Sequence, residues 1–186
     1  MSEQQIDDKV REQIQKTRLI QKIRLIVFDC DGVLTDGGIT VLPDGQESKR
    51  FDVRDGLGIN LAIRAGLKTA IITGRESSVV EHRAKDLGIH HIYQKSPDKT
   101  ADLNSILQKE SLSLAETAFV GDDLPDLAVM RRVGFAVAVG DAIPEVKLTA
   151  DYVTSLPGGR GAVREVIELI LRTQGKWESA IEHYTR

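Results

Sequence analysis

Cysteine is nearly absent. Cys30 is the only one in 186 residues, so no internal disulfide can form, and the chain suits a reducing compartment. No apolar stretch approaches membrane-spanning length. Positive charge is not in excess: 25 Lys and Arg face 28 Asp and Glu, a formal net charge of −3 that offers nothing to nucleic acid or an anionic membrane. Met1 to Arg18 is polar and charged with no apolar h-region, so no secretory signal is expected and the cytoplasm is the expected location. Internal repeats and low-complexity linkers are lacking as well. What remains, 41% hydrophobic and 28% charged, is an ordinary globular composition, and the length suits one domain, 1–186, with a real core.

Several site signatures are also missing. There is no GxxxxGK[ST] run, which excludes a Walker-type nucleotide site. Gly56-Leu57-Gly58 lacks the third glycine of a dinucleotide fingerprint, because position 61 is Leu. The 4 His residues show no zinc-type spacing. A cysteine-based phosphatase needs an Arg shortly after its Cys, but position 36 is Asp, so Cys30 reads as a spacer.

The chain is organised around the stretch from Ile23 to Gly37. An apolar run, Leu25-Ile26-Val27-Phe28, ends abruptly in Asp29-Cys30-Asp31-Gly32. An unbroken β-branched run reads as a strand buried on both faces, as in parallel sheets. Gly32 lets the chain turn away, which sets Asp29 and Asp31 at the carboxyl end of a central strand, where open α/β sheets bind ligands. Two carboxylates beside an apolar core are costly unless a cation neutralises them.

The flanking pattern alternates strands and helices. Residues 1–7 are expected to be frayed, followed by a thinly amphipathic helix from Asp7 or Asp8 through Val10, Ile14 and Thr17 or Arg18. Gly38 to Phe51 reads as a β-hairpin around Pro43-Asp44-Gly45. A helix is expected over Asp55–Ala65 with Leu57, Leu61 and Ala65 inward, then a strand over Lys68–Ile72 and a helix from about Glu76 to Leu87. A short strand His91–Tyr93 precedes a helix with Ser96 as N-cap and Pro97 as its first residue. Strands Thr117–Val120, Phe135–Val139 and Tyr152–Val153 follow, with one short helix after the first. A last helix carries Val163, Val166, Ile167, Ile170 and Leu171 at helical spacing, and the tail from Thr173 reads as mobile. This rhythm predicts an α/β fold with a doubly wound, Rossmann-like parallel sheet and a small hairpin insertion.

Four strands then end in residues that cooperate in phosphoryl transfer. They are Asp29 with Asp31; Thr73 with Gly74, which allows close backbone approach; Lys99 in the first turn of a helix; and Asp122, Asp123 and Asp126. A parallel sheet points all its carboxyl ends one way, so these groups can converge. Lys99 is awkward there, because a cation in the first turn opposes the helix dipole unless an anion offsets it.

The order of these groups resembles the four motifs of the haloacid dehalogenase superfamily: Asp29-Cys30-Asp31-Gly32-Val33-Leu34-Thr35-Asp36-Gly37, Thr73-Gly74-Arg75, Lys99, and Gly121-Asp122-Asp123-Leu124-Pro125-Asp126. The resemblance implies that Asp29 is the nucleophile and Asp31 the general acid–base. It implies Mg²⁺ held by the Asp29 carboxylate, the Asp31 backbone carbonyl and Asp122, with Thr73 and Lys99 taking up charge on the phosphoryl group. Asp126 or Asp123 is left to hold a metal-bound water or to orient Lys99. The gaps between motifs leave no room for a cap domain.

Beyond the motifs, Phe51 to Ile59, Ala70 to Ser77, Gly121 to Leu127 and Gly158 to Glu165 resemble the family of 3-deoxy-D-manno-octulosonate 8-phosphate phosphatases. Lys95 departs from it, for glycine is common there. The resemblance implies a small sugar-acid phosphate as substrate, neither nucleic acid nor membrane as partner, and a homotetramer joined through the hairpin. Expected substrate contacts are Thr35, Gly74, Arg54, Arg75 and Arg160, with Arg54 the first choice for the sugar carboxylate. The tail with Trp177 and Tyr184 is either disordered or folded over a neighbour's site. A nonulosonate 9-phosphate phosphatase is the alternative activity, and a non-catalytic regulatory domain the alternative class.

Overall fold

The computed structural model describes residues 3–186, with the side chains of residues 3, 5–10 and 12 outside that description. Fraying expected at Met1 and Ser2 therefore concerns residues that are not described. From Glu3 onward that expectation is corrected, because helix α1 spans Glu3–Gln21. Its stripe is thin, as expected: Ile14 is exposed and Ile20, near the end, is buried.

Strand β1, Leu25–Phe28, is buried along its whole length. Strands β2 (Thr40–Val41) and β3 (Glu47–Ser48) form the antiparallel hairpin. Its turn closes with Gly45 N donating to Leu42 O and Gln46 N to Asp44 Oδ1, with Gly45 at φ 82°. There follow α2 (Val53–Arg64), β4 (Lys68–Ile72), α3 (Ser78–Leu87), β5 (His91–Tyr93) and α4 (Lys99–Glu110). The remainder is β6 (Thr117–Gly121), α5 (Leu127–Met130), β7 (Phe135–Ala138), α6 (Pro144–Thr149), β8 (Tyr152–Val153), α7 (Ala162–Thr173) and α8 (Trp177–Thr185).

Apart from the hairpin, the strands form one parallel sheet in the order β5-β4-β1-β6-β7-β8. The chain winds from β1 through β4 to β5 at one edge, then returns to β6 and winds to the other. The switch therefore lies between β1 and β6, the place where such sheets bind ligands. Right-handed crossovers put α2 and α3 on one face, where α1, α7 and α8 join them, and leave α4, α5 and α6 on the other. The core runs through both layers, with Phe28, Phe119 and Phe135 fully buried in the sheet.

Several local expectations are corrected. Helix α2 starts at Val53 rather than Asp55, because Asp52 accepts a hydrogen bond from Arg54 N at 2.7 Å and is the N-cap. Leu61 is buried as expected, but it shares the buried face with Gly58, Ile59 and Ala62 rather than with Leu57 and Ala65, which are only partly buried. The reason is that α7 lies against α2 so closely that a Cβ on Gly58 would stand 3.2 Å from Arg164 Cα. Helix α3 starts at Ser78, two residues later than expected, because Ser77 N donates to Gln94 Oε1 at 2.6 Å. Ser96 does not cap α4. Its N–H goes to Thr73 O at 3.1 Å, and Asp98 caps instead, accepting from Thr100 N and Ala101 N. Helix α6 was not foreseen.

The tail is not mobile chain but α8, docked on α2 and α7 of its own chain. Trp177 is 6% exposed, lying under the guanidinium groups of Arg164 and Arg172, which stand 5.4 and 4.4 Å from the ring centroid. Tyr184 OH meets Arg64, the last residue of α2, 3.2 Å away and at the end of the sheet remote from the strand carboxyl ends.

Lys95 takes φ 52°, in the left-handed region that L side chains resist. The loop thus keeps a glycine-like shape with a lysine in it. Replacing Lys95 with Gly is expected to raise unfolding free energy by about 0.5–1 kcal/mol, the left-handed cost relieved less the entropy glycine adds. Urea denaturation checks it, and a destabilised variant would show that the φ is not strained.

Candidate active site

Strand register brings the expected groups together. Phe28 pairs with Ile71 on one side and Val120 on the other, so Asp29, Thr73 and Asp122 emerge side by side just past the strand ends. Asp29 N donates to Val120 O at 3.0 Å, and Thr73 N to Tyr93 O at 2.9 Å, holding these residues to the sheet. Gly32 turns the chain at φ 88°, and any Cβ there would lie 2.0 Å from Asp122 Oδ2. Gly158 presses on the same turn, for its Cβ would lie 1.6 Å from Gly32 O. Only two glycines can meet this closely.

The resulting cleft holds about 510 Å³, lined among others by Asp29, Asp31, Thr73, Gly74, Arg75, Lys99 and Asp122. Lys99 Nζ lies 2.8 Å from Asp29 Oδ1 and 2.7 Å from Asp126 Oδ1. Burial alone would lower its pKa, but the charges of Asp29 and Asp126 outweigh that and raise it, so Lys99 is a fixed cation. These carboxylates also offset its unfavourable place at the start of α4. Asp126 spends its other oxygen on Asp122 N, at 2.9 Å, and Asp123 N, at 3.3 Å. It therefore orients Lys99 and the loop, while Asp123 accepts from Leu124 N at 2.8 Å and opens a short 3₁₀ turn.

Carboxylate oxygens of Asp29, Asp122 and Asp126 lie within 4.8 Å of one another. Asp122 Oδ1 is buried without a hydrogen-bond partner. Burial first, and then the charges of Asp29, Asp126 and Asp123, push the Asp122 carboxyl up to about 8. Burial and Asp126 likewise push Asp29 up to about 6, against the pull of Lys99. Three negative groups facing one lysine leave a deficit that a divalent cation fits, and with Asp126 occupied the open donors are Asp29 and Asp122. Cys30 is no nucleophile, because burial and the neighbouring Asp31 push its thiol up to about 12.

Other expected contacts lie elsewhere. Thr35 is buried, donating to Cys30 O at 3.4 Å and accepting from Gly37 N at 3.2 Å, so it shapes the loop rather than facing the cleft. Arg54, the first choice for the sugar carboxylate, is turned aside to Asp52 and Arg160 O, both at 2.9 Å. Arg160 stands 3.5 Å from Asp36, which also pairs with Arg50 at 2.9 Å. Of the three arginines only Arg75 lines the cleft. Lys49, which the sequence did not single out, reaches Asp31 Oδ1 from the hairpin. The available signal was the spacing of Glu47 and Lys49, two residues apart in extended chain at and just past β3 and hence on one side.

A family model for haloacid dehalogenase-like hydrolases matches residues 85–167. The chain is 48% identical over 160 residues to the Escherichia coli K12 3-deoxy-D-manno-octulosonate 8-phosphate phosphatase KdsC, which spans 86% of this chain and 85% of that protein. It belongs to that phosphatase family. The crystal structure of the Yersinia pestis family member matches with a TM-score of 0.87 at 45% identity, covering 88% of this chain and 89% of that one. The Moraxella catarrhalis member, solved with magnesium, phosphate and the sugar acid itself, matches with a TM-score of 0.89 at 41% identity, covering 91% and 98%. Mg²⁺, the ion in the Moraxella catarrhalis structure, is the cofactor, and the acidic group of Asp29, Asp122 and Asp126 could hold it, with Asp29 and Asp122 the open donors.

A carboxyl whose pKa is higher folded than unfolded holds protons that the unfolded chain has released, so stability falls as pH rises between the two values. For Asp122 that interval runs from 3.8 to about 8. A divalent cation binds the charged form, so its stabilising effect grows over the same range. The metal-free protein is expected to melt lower at pH 8 than at pH 5, and saturating Mg²⁺ to raise Tm more at pH 8. Asp122→Asn should raise the metal-free Tm at pH 8, each kcal/mol relieved giving about 2–4 °C, and abolish most of the Mg²⁺ response. An undiminished response would remove Asp122 from the ligand set.

Proposed function

We propose that this chain hydrolyses 3-deoxy-D-manno-octulosonate 8-phosphate to the free sugar acid and phosphate, with Mg²⁺, in the synthesis of lipopolysaccharide precursors. The observation that carries this is the 48% identity over 86% of the chain to a phosphatase of that substrate. In this reading a carboxylate oxygen of Asp29 attacks phosphorus as the ester P–O bond breaks, giving an aspartyl-phosphate. Asp31 passes a proton to the departing alcohol oxygen. It then takes one from the water that attacks the aspartyl-phosphate, which returns the Asp29 carboxylate and releases phosphate. The Lys99 ammonium and the Thr73 hydroxyl stabilise charge on the phosphoryl oxygens throughout. Mg²⁺ bound by the Asp29 and Asp122 carboxylates and the Asp31 carbonyl would add further neutralisation of that charge.

Arg75 is the proposed partner of the substrate carboxylate, since it is the arginine that lines the cleft, with Gly74 beside it. The chain acts as one domain and works in the cytoplasm, a setting that suits its free Cys30 thiol. It assembles as a homotetramer through the hairpin, whose Ile39, Val41 and Leu42 are exposed, Val41 to 68%.

Phosphate release from a panel of octulosonate, nonulosonate and aryl phosphates tests the activity. The octulosonate 8-phosphate should give the highest kcat/KM, and a higher value on the nonulosonate 9-phosphate would replace the substrate assignment. Asp29→Asn should lose activity by more than about 10³-fold while staying folded. Arg75→Ala should raise KM for the sugar acid and leave the aryl phosphate unaffected. Equal losses on both would place Arg75 at the phosphoryl centre.

Assembly is tested separately. Ile39→Asp with Val41→Asp should convert the tetramer to folded monomers in light scattering, and a tetramer that survives both changes would exclude the hairpin as the contact.

A further inference from the structure

The hairpin carries charge into the active site. Glu47 and Lys49 lie on β3 and just past it, two residues apart, and so face one side of the extended chain. That side meets two residues that line the cleft, Asp31 and Arg75. The Lys49 side chain is 0% exposed and its Nζ contacts Asp31 Oδ1. On the far side of the same carboxylate, Arg75 Nε stands 3.7 Å from Asp31 Oδ2, and Arg75 Nη2 stands 3.6 Å from Glu47 Oε2. Lys49, Asp31, Arg75 and Glu47 thus form a row of alternating charge across the mouth of the site.

The two cations in this row are not equivalent. Arg75 is 55% exposed and only at long range from Asp31, so it can swing away to meet a ligand. Lys49 has its whole side chain enclosed, and a buried ammonium is tolerated only where a partner compensates its lost water. Asp31 is that partner. Because Asp31 sits in a loop beyond the strand end, nothing in the sheet ladder fixes its carboxyl, and the grip on Oδ1 is what does.

We propose that Lys49 is the positioning residue for the acid–base Asp31: it holds Oδ1, so that Oδ2 is the oxygen that exchanges protons. This rests on the reading of Asp31 given above. As the ester P–O bond breaks, the Oδ2 proton passes to the leaving oxygen and Asp31 becomes the carboxylate. When water attacks the aspartyl-phosphate, Oδ2 recovers a proton from it. Lys49 gives up no proton in either step.

The test is a series of simple phosphate monoesters of graded leaving-group basicity, from p-nitrophenyl phosphate to a primary alkyl phosphate. None carries a carboxylate, so the proposed grip of Arg75 on the sugar acid does not enter. The ratio kcat/KM reports steps up to formation of the phospho-enzyme, which isolates protonation of the leaving group. In Lys49→Met the poorest leaving group should lose about 10²-fold, while p-nitrophenyl phosphate, which needs no proton, stays within about fivefold of wild type. Lys49→Arg should recover much of the loss on the alkyl ester. Asp31→Asn, run alongside, should show the same dependence more strongly.

Uniform losses across the series in Lys49→Met, or none at all, would overturn the role of Lys49 while leaving Asp31 in place. No leaving-group dependence in Asp31→Asn would overturn the acid–base reading, and the role of Lys49 with it. Should Lys49→Met fail to fold, Lys49→Gln carries the same comparison.

Discussion

Everything at the top of this sheet answers to one constraint: more negative charge is gathered there than the chain can neutralise. Asp29, Asp122 and Asp126 crowd within 4.8 Å beside a fully buried sheet, with Lys99 between them. Such crowding is costly in a low-dielectric setting. The fold bears the cost because parallel strand register leaves these side chains nowhere else to go. The fit for a divalent cation, the raised carboxyl pKa values and the buried lysine are all responses to that deficit.

The division of labour among the carboxylates follows from what each oxygen already touches. Asp126 is saturated by Lys99 and two backbone N–H groups, so it organises the loop. Asp122 keeps one oxygen with no partner. Asp31 lies outside the cluster and has cations of its own, Lys49 and Arg75. Chemically identical groups thus take separate parts through hydrogen-bond accounting alone.

The sheet was legible because its strands are short apolar runs that stop at polar residues, and β4, β5 and β8 fall where that pattern puts them. Helix starts were less so, since they depend on partners remote in sequence. Ser96 looks like a cap, but its N–H is claimed by Thr73, and Asp98 two residues on does the work. The tail reads as polar because Trp177 is one aromatic among charges. Its burial depends on Arg164 and Arg172, about two turns apart on a neighbouring helix. At the site, the groups at strand ends were readable from topology. Lys49 was not, for its spacing from Glu47 puts both on one side of the chain but does not tell whether that side is buried or solvated. Arg54 misled for the opposite reason: Asp52, two residues before it, captures the guanidinium.

The contact between Gly158 and Gly32 joins the loop after β1 to a segment near the other end of the chain. The side chains proposed to act on the phosphate lie at or before position 126. The backbone that walls in their loop comes more than thirty residues later. On a ribosome, therefore, the reactive side chains emerge well ahead of the part that sets the spacing between them. The loop that carries Asp29 and Asp31 therefore gains this wall only after all six strands of the sheet have been made.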